Sequence, residues 1–120
     1  MRVLGILGGM SWESTAVYYR LLNQGVARRL GGLHSAPLLL HSVDFAPIAA
    51  LQAAGDWDQA ADVLSHAAQG LRRAGALGLL LATNTMHLVA HRIEAATALP
   101  LLHIADATGL ALQEIGRAHV

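Results

Sequence analysis

Polar and glycine-rich segments follow four short apolar runs of the chain, at the points where those runs end. The segments are residues 8–11, 42–44, 83–85 and 103–106. If the apolar runs are parallel strands of one open sheet, their carboxyl ends lie along the same edge, where small ligands of such sheets bind. The pattern therefore predicts a site at this edge, built from hydroxyl, amide and backbone N–H groups.

The glycine-rich segment comes directly after the first apolar run. Gly5, Gly8 and Gly9 lack the G-x-G-x-x-G spacing of a dinucleotide-binding loop, and no Gly-Lys-Ser/Thr follows them as in a P-loop. Its backbone N–H groups could still bind a small anion such as a carboxylate. The alternative is a tight turn between a strand and a helix that binds no ligand.

The segment Thr83, Asn84 and Thr85 lies between the third apolar run and a predicted helix. Hydroxyls, an amide and free N–H groups at the positive end of a helix suit the carboxylate or amine of a substrate. The alternative is an ordinary N-cap, for which Thr and Asn are favoured in any case. His87 follows about one helical turn later and could polarise or deprotonate a neighbour, although a lone histidine at a helix start is more often structural.

Metal binding is not expected. His87 and His91 have i, i+4 spacing, but no third ligand is evident and no glutamate lies between them as in H-E-x-x-H. The pair His34 and His41 does not indicate a metal site either. The chain has no cysteine, which excludes thiol catalysis, Cys-based zinc sites and disulfides within it. Nor do the acids nearest the strand ends form a recognisable catalytic pair, and Asp44 and Asp106 could simply cap the segments that follow.

The hydrophobic pattern predicts strands and helices in alternation. Apolar runs without polar alternation are typical of buried parallel strands, and periodic apolar residues indicate helices. The strands are expected at residues 3–7, 38–43, 78–82 and 101–104, and the helices at about 14–30, 47–53, 57–73, from the 83–87 segment to 97, and 106–115. This order predicts an α/β fold in which a four-stranded parallel sheet has helices on both faces.

Two helices have particularly informative patterns. In the first, Val17, Leu21 and Leu22 are expected to form the buried face. In the third, apolar residues recur regularly after Asp56, which is expected to be the N-cap, and Gly75 is expected to cap the end.

Length and composition restrict the class of protein. The 120 residues suit one domain, and 54% hydrophobic residues can form a packed core. A formal net charge of zero gives no basic surface for nucleic acid or membrane lipids. No apolar run approaches the roughly 20 residues of a membrane span, and no signal peptide is evident, so a cytoplasmic protein is expected. The ending at Val120 hints at truncation.

Six segments in register along the whole chain resemble the aspartate/glutamate racemase family, most closely its bacterial broad-specificity members. They are residues 8–14, 30–36, 41–45, 55–58, 83–87 and 102–108. The resemblance implies a cofactor-independent racemase made of two similar α/β domains, with the acidic amino acid between them. One residue from each domain would take or return the α-proton. It also implies a flavodoxin-like domain with strand order 2-1-3-4.

The resemblance also implies roles for individual residues. Thr83 stands where most members have a catalytic cysteine and the closest branch commonly has threonine. Asn84 and Thr85 would hold the substrate carboxylate, and Met10 and Gln52 match positions that line the substrate site. Thr83 would also contact the substrate. Ala82 departs from the cysteine usual in the closest branch.

The second domain, with its catalytic cysteine, is absent from the sequence. Residues 1–120 therefore correspond to the N-terminal racemase domain, which we expect to be inactive alone. Without the covering domain the strand-end face would be exposed, and the chain could form a homo-oligomer through this face. A non-catalytic domain that binds a carboxylate or an amino acid is the alternative, and a module without a ligand is a third interpretation.

Overall fold

The computed structural model describes residues 2–83 and 87–102 of the chain. Within these ranges strands and helices alternate, apart from two consecutive helices in the middle. The elements are β1 (Leu4–Gly8), α1 (Trp12–Leu30), β2 (Leu38–Ser42), α2 (Phe45–Ala53), α3 (Trp57–Arg73), β3 (Gly78–Leu81), α4 (His87–Thr97) and β4 (Leu101–Leu102). The helix predicted at 106–115 lies outside the described residues.

The four strands form one parallel sheet in the order β2-β1-β3-β4, which confirms both the predicted fold class and the predicted strand order. β1 is central and pairs with β2 through Gly8 and Ser42 and with β3 through Leu7 and Leu81. The carboxyl ends of β1, β2 and β3 therefore lie at one edge of the sheet, as the sequence predicted.

Alternate side chains of the strands pack against helices on opposite faces of the sheet. Leu4 and Ile6 of β1 pack with Leu22 and Val26 of α1 on one face. Leu7 belongs to the core cluster on the other face, together with residues of α3 and α4. This two-sided burial is the physical reason why β1 and β3 are almost purely apolar.

The third helix has the predicted periodicity, and its buried positions repeat every three or four residues. They are Ala60, Ala61, Leu64, Ala67, Ala68 and Leu71. At its start the carboxylate of Asp56 accepts a hydrogen bond from the N–H of Gln59 at 3.1 Å, which confirms the predicted N-cap. Just past its end, Gly75 has a φ of 113°, a conformation that glycine adopts without steric cost.

The predicted buried face of α1 is wrong in one position. Val17 is exposed, whereas Leu22 and Val26 are buried and Leu21 is half-buried. Val17 and Leu22 are five positions apart in the helix. Since each position turns the helix by about 100°, the two side chains point in directions about 140° apart. The helix also begins earlier than predicted, at Trp12, so that Thr15 belongs to its first turn.

Candidate functional site

Two loops begin side by side at the carboxyl edge of the sheet, after β1 and after β3. The N–H of Ala82 donates to the carbonyl of Leu7 at 3.0 Å, and the N–H of Val43 donates to that of Gly8 at 2.9 Å. These bonds continue the ladder beyond the strands, so that Thr83 follows directly on a position tied to β1. The structure thus brings residues 8–11, residues 42–44 and Thr83 to one edge; Asn84, Thr85 and residues 103–106 lie outside the described residues.

A buried threonine holds the glycine loop in place. The N–H of Gly9 donates to Oγ1 of Thr15 at 3.0 Å, and this hydroxyl donates to the carbonyl of Ser11 at 3.1 Å. Thr15 is only 4% exposed. The Gly9 amide is therefore satisfied within the protein, which favours the tight-turn interpretation over an anion bound by this N–H group.

Close packing explains why both residues of the turn are glycines. A Cβ on Gly8 would lie 2.6 Å from Cγ2 and from Oγ1 of Thr15. A Cβ on Gly9 would collide with the carbonyl oxygen of Val43, and Gly9 also has a φ of 96°. Nothing in the sequence alone indicates the role of Thr15, because a threonine in the first turn of a helix has no distinctive spacing.

Met10 extends the glycine loop into the hydrophobic core. Its side chain is 3% exposed and belongs to the same buried cluster as Leu7, Ile48, Leu81 and Val89. This packing fixes the end of the loop against the sheet and against α2 and α4. The substrate-lining role of Met10 stays a prediction, and only a small part of the residue can reach a ligand.

Gln52, Thr83 and Asp44 lie on segments that start or end near this edge. Gln52 is half-buried near the end of α2, and Thr83 is half-buried directly after the fully buried Ala82. Asp44 caps α2, since its carboxylate accepts a hydrogen bond from the N–H of Ala46 at 3.4 Å. The simpler interpretation of Asp44 is therefore the observed one.

Residues 2–83 and 87–102 contain neither a cluster of metal ligands nor a helix that could span a membrane. No three His, Cys, Asp or Glu residues lie close enough together there to hold a metal ion. None of the helices in that part of the chain is long and apolar enough to cross a membrane.

The hydroxyl of Thr15 is expected to stabilise the loop measurably. In Thr15→Val the shape is kept but the buried N–H of Gly9 loses its acceptor, which costs roughly 1–3 kcal/mol of unfolding free energy. Thr15→Ser keeps the hydroxyl and loses one methyl group, at a cost of about 1 kcal/mol. Urea unfolding of both variants measures the difference. A valine variant as stable as the serine variant would show that the hydroxyl does not hold the loop.

The chain is a domain of the α/β class, and its polar strand-end edge is where open parallel sheets commonly bind ligands. A model of the Asp/Glu/hydantoin racemase family matches residues 7–120. The chain therefore belongs to the Asp/Glu/hydantoin racemase family.

Two solved structures are similar to the chain over nearly its whole length. A candidate Asp/Glu racemase from Yersinia pestis is 59% identical, with a TM-score of 0.85 over 97% of this chain. An aspartate racemase homologue from Pyrococcus horikoshii is 29% identical, with a TM-score of 0.78 over 95% of this chain. In both cases the chain spans only 50% of the other protein's length.

Proposed function

We propose that this chain forms one half of the active site of a racemase acting on acidic amino acids such as aspartate and glutamate. The observation that carries the proposal is the convergence of the loops after β1 and β3 at the carboxyl edge of the sheet, in a chain of the racemase family. Thr83 directly follows a position that is hydrogen-bonded to β1. This bond fixes the backbone next to the point from which the Thr83 side chain extends.

The proposed reaction moves the α-proton between two residues on opposite faces of the substrate. The α-proton is weakly acidic, so the site must neutralise the substrate carboxylate and place both groups within hydrogen-bond reach. Thr83 exchanges the proton on this face, Asn84 and Thr85 bind the carboxylate, and Met10 and Gln52 line the site. An alcohol is a poor base unaided, so Thr83 needs a neighbouring group that accepts its proton.

The second face of the site comes, in this proposal, from a second α/β domain. Residues 1–120 are then the N-terminal domain, and the similar solved proteins are twice as long as the matched segment. With one face alone, the α-proton can at most be exchanged and returned to the same side. The isolated chain is therefore inactive in racemisation. A cytoplasmic location and independence of cofactors stay predictions.

A chimera tests the proposal. This chain replaces the matching half of the Yersinia pestis protein, to which it is 59% identical. We expect the chimera to interconvert the enantiomers of aspartate or glutamate, measured by chiral chromatography, and to incorporate deuterium at Cα in D₂O. The isolated chain is expected to give no inversion under the same conditions.

The unmodified Yersinia pestis protein is the matched control for this chimera. If that protein racemises an acidic amino acid while a folded chimera binds it without inversion, the chain is a binding domain and not half of a racemase site. If the isolated chain inverts the substrate as a monomer, the two-domain mechanism is wrong.

A further inference from the structure

The hydroxyl of Thr15 binds the backbone on both sides of Met10. It accepts a hydrogen bond from the N–H of Gly9 at 3.0 Å and donates one to the carbonyl of Ser11 at 3.1 Å. A threonine hydroxyl has one proton to donate, and Thr15 is only 4% exposed, so this group is committed to the backbone. Any effect of Thr15 on a bound molecule must therefore come through the turn that it holds.

The turn at residues 8–11 is packed on two sides. The methyl and hydroxyl groups of Thr15 lie so close to Gly8 that a Cβ does not fit between them. On the other side, the buried side chain of Met10 packs in one cluster with Leu7 and Leu81. Because close-packed groups transmit small displacements to their neighbours, the position of this turn depends on the position of Thr15.

Both neighbouring strand ends are hydrogen-bonded to the strand that leads into the turn. The N–H of Val43, after β2, donates to the carbonyl of Gly8 at 2.9 Å. The N–H of Ala82, after β3, donates to the carbonyl of Leu7 at 3.0 Å. Thr83 follows Ala82 directly. A shift of the turn is therefore passed to both sides of the strand-end edge, including the backbone that carries Thr83.

We propose that Thr15 is a positioning residue of the racemase site. Its hydroxyl keeps the turn in the shape that places Met10 along the substrate and, through β1, Thr83 within reach of the α-proton. This inference rests on the proposed function and adds to its site a residue that does not touch the substrate. Proton transfer requires close approach of the reacting atoms, and a displacement of about 1 Å can lower the rate by about 10²-fold.

Kinetics of the chimera with the Yersinia pestis protein test the positioning role. Thr15→Val keeps the branched shape and removes both hydrogen bonds, so kcat per folded molecule should fall roughly ten- to hundredfold. KM should change less than about threefold, since Thr15 makes no contact with the substrate. Thr15→Ser supplies the same donor and acceptor and should keep kcat within about threefold of the wild-type chimera.

Thr97 provides a matched control at the other edge of the sheet. Its hydroxyl accepts a hydrogen bond from the N–H of Leu99 at 3.3 Å and donates one to the carbonyl of Ile93 at 2.8 Å. Thr97 is fully buried at the end of α4, just before β4 begins. Thr97→Val should therefore lower the urea midpoint about as much as Thr15→Val, but its kcat per folded molecule should stay within about twofold of the wild-type chimera. Circular dichroism under the assay conditions gives the folded fraction.

Amide hydrogen exchange of the chain itself tests the coupling without any reaction. Thr15→Val should speed exchange at the N–H groups of Val43 and Ala82 at least about tenfold, measured relative to the N–H of Leu64 in the core of α3. Dividing by the rate at Leu64 removes the effect of global stability. Thr97→Val should change these two ratios less than about threefold.

The outcomes separate this inference from the proposed function. A wild-type chimera that is folded but does not racemise contradicts the proposed function, and the positioning role fails with it. An active chimera in which Thr15→Val and Thr97→Val have equal kcat per folded molecule contradicts the positioning role alone. Loss of activity in Thr15→Ser as large as in Thr15→Val would mean that packing of the methyl group, and not the hydroxyl, is responsible. Unchanged exchange ratios at Val43 and Ala82 would show that the turn does not act on the strand ends.

Discussion

Replacing Thr83 with alanine in the chimera is expected to lower kcat for racemisation by about 10²–10⁴-fold, the usual contribution of one positioned proton-transfer group. In the proposed mechanism this hydroxyl is the group that exchanges the α-proton directly on this face of the substrate. The proposal assigns the substrate carboxylate to Asn84 and Thr85, so KM should change much less than kcat. Initial rates with both enantiomers measure the effect.

Thr83→Ser is the matched control, because it keeps the hydroxyl and removes only a methyl group. It should retain a rate within about tenfold of the wild-type chimera, although the lost methyl frees the χ1 rotation. Circular dichroism and urea unfolding establish that both variants are folded under the assay conditions. If the alanine variant racemises as fast as the wild type, Thr83 is not the proton-transfer residue and the proposed mechanism fails.

Gly9→Ala is expected to lower the free energy of unfolding by more than about 3 kcal/mol. The new Cβ would collide with the carbonyl oxygen of Val43 and would lie 2.6 Å from its nitrogen. Both are backbone atoms of the segment after β2, so relief requires movement of the sheet edge itself. The φ of 96° adds strain for any residue with a Cβ. Since small domains are marginally stable, the variant should be largely unfolded or insoluble.

Gly32→Ala separates the two causes of this loss. Gly32 also has a positive φ, 58°, but a Cβ there would meet nothing within 4 Å. Its substitution should cost only the conformational term, about 1 kcal/mol. Urea unfolding of both variants gives the comparison. Equal losses would mean that backbone conformation alone, and not the approach of Val43, explains the glycine at position 9.

The element types follow largely from local patterns in the sequence. An apolar run such as Leu79–Leu81 is typical of a strand covered on both faces, and the structure has it fully buried in β3. The N-cap of α3 at Asp56 and the end of this helix before Gly75 also depend on a few neighbouring residues, and the structure has both. The strand order came from the family resemblance, because these short patterns do not contain it.

Contacts between distant segments required the tertiary structure. Thr15 has no distinctive spacing, and its role appears only when the first turn of α1 is packed against Gly8 and Gly9. Val17 was placed on the wrong face because a few apolar residues do not define the direction of a helix face.

The run Leu38–Leu40 is as apolar as Leu79–Leu81, so the sequence determined that both are strands of one parallel sheet. Only the tertiary structure decided that Leu40 of the outer strand β2 is half exposed, while Leu79–Leu81 of β3 are fully buried. The physical reason is that hydrophobicity measures how favourable burial is, whereas burial itself depends on which neighbours the fold supplies. The candidate site also depends on tertiary contacts. The sequence gives its residue types, but the position of Thr83 beside β1 results from hydrogen bonds between segments about 75 residues apart.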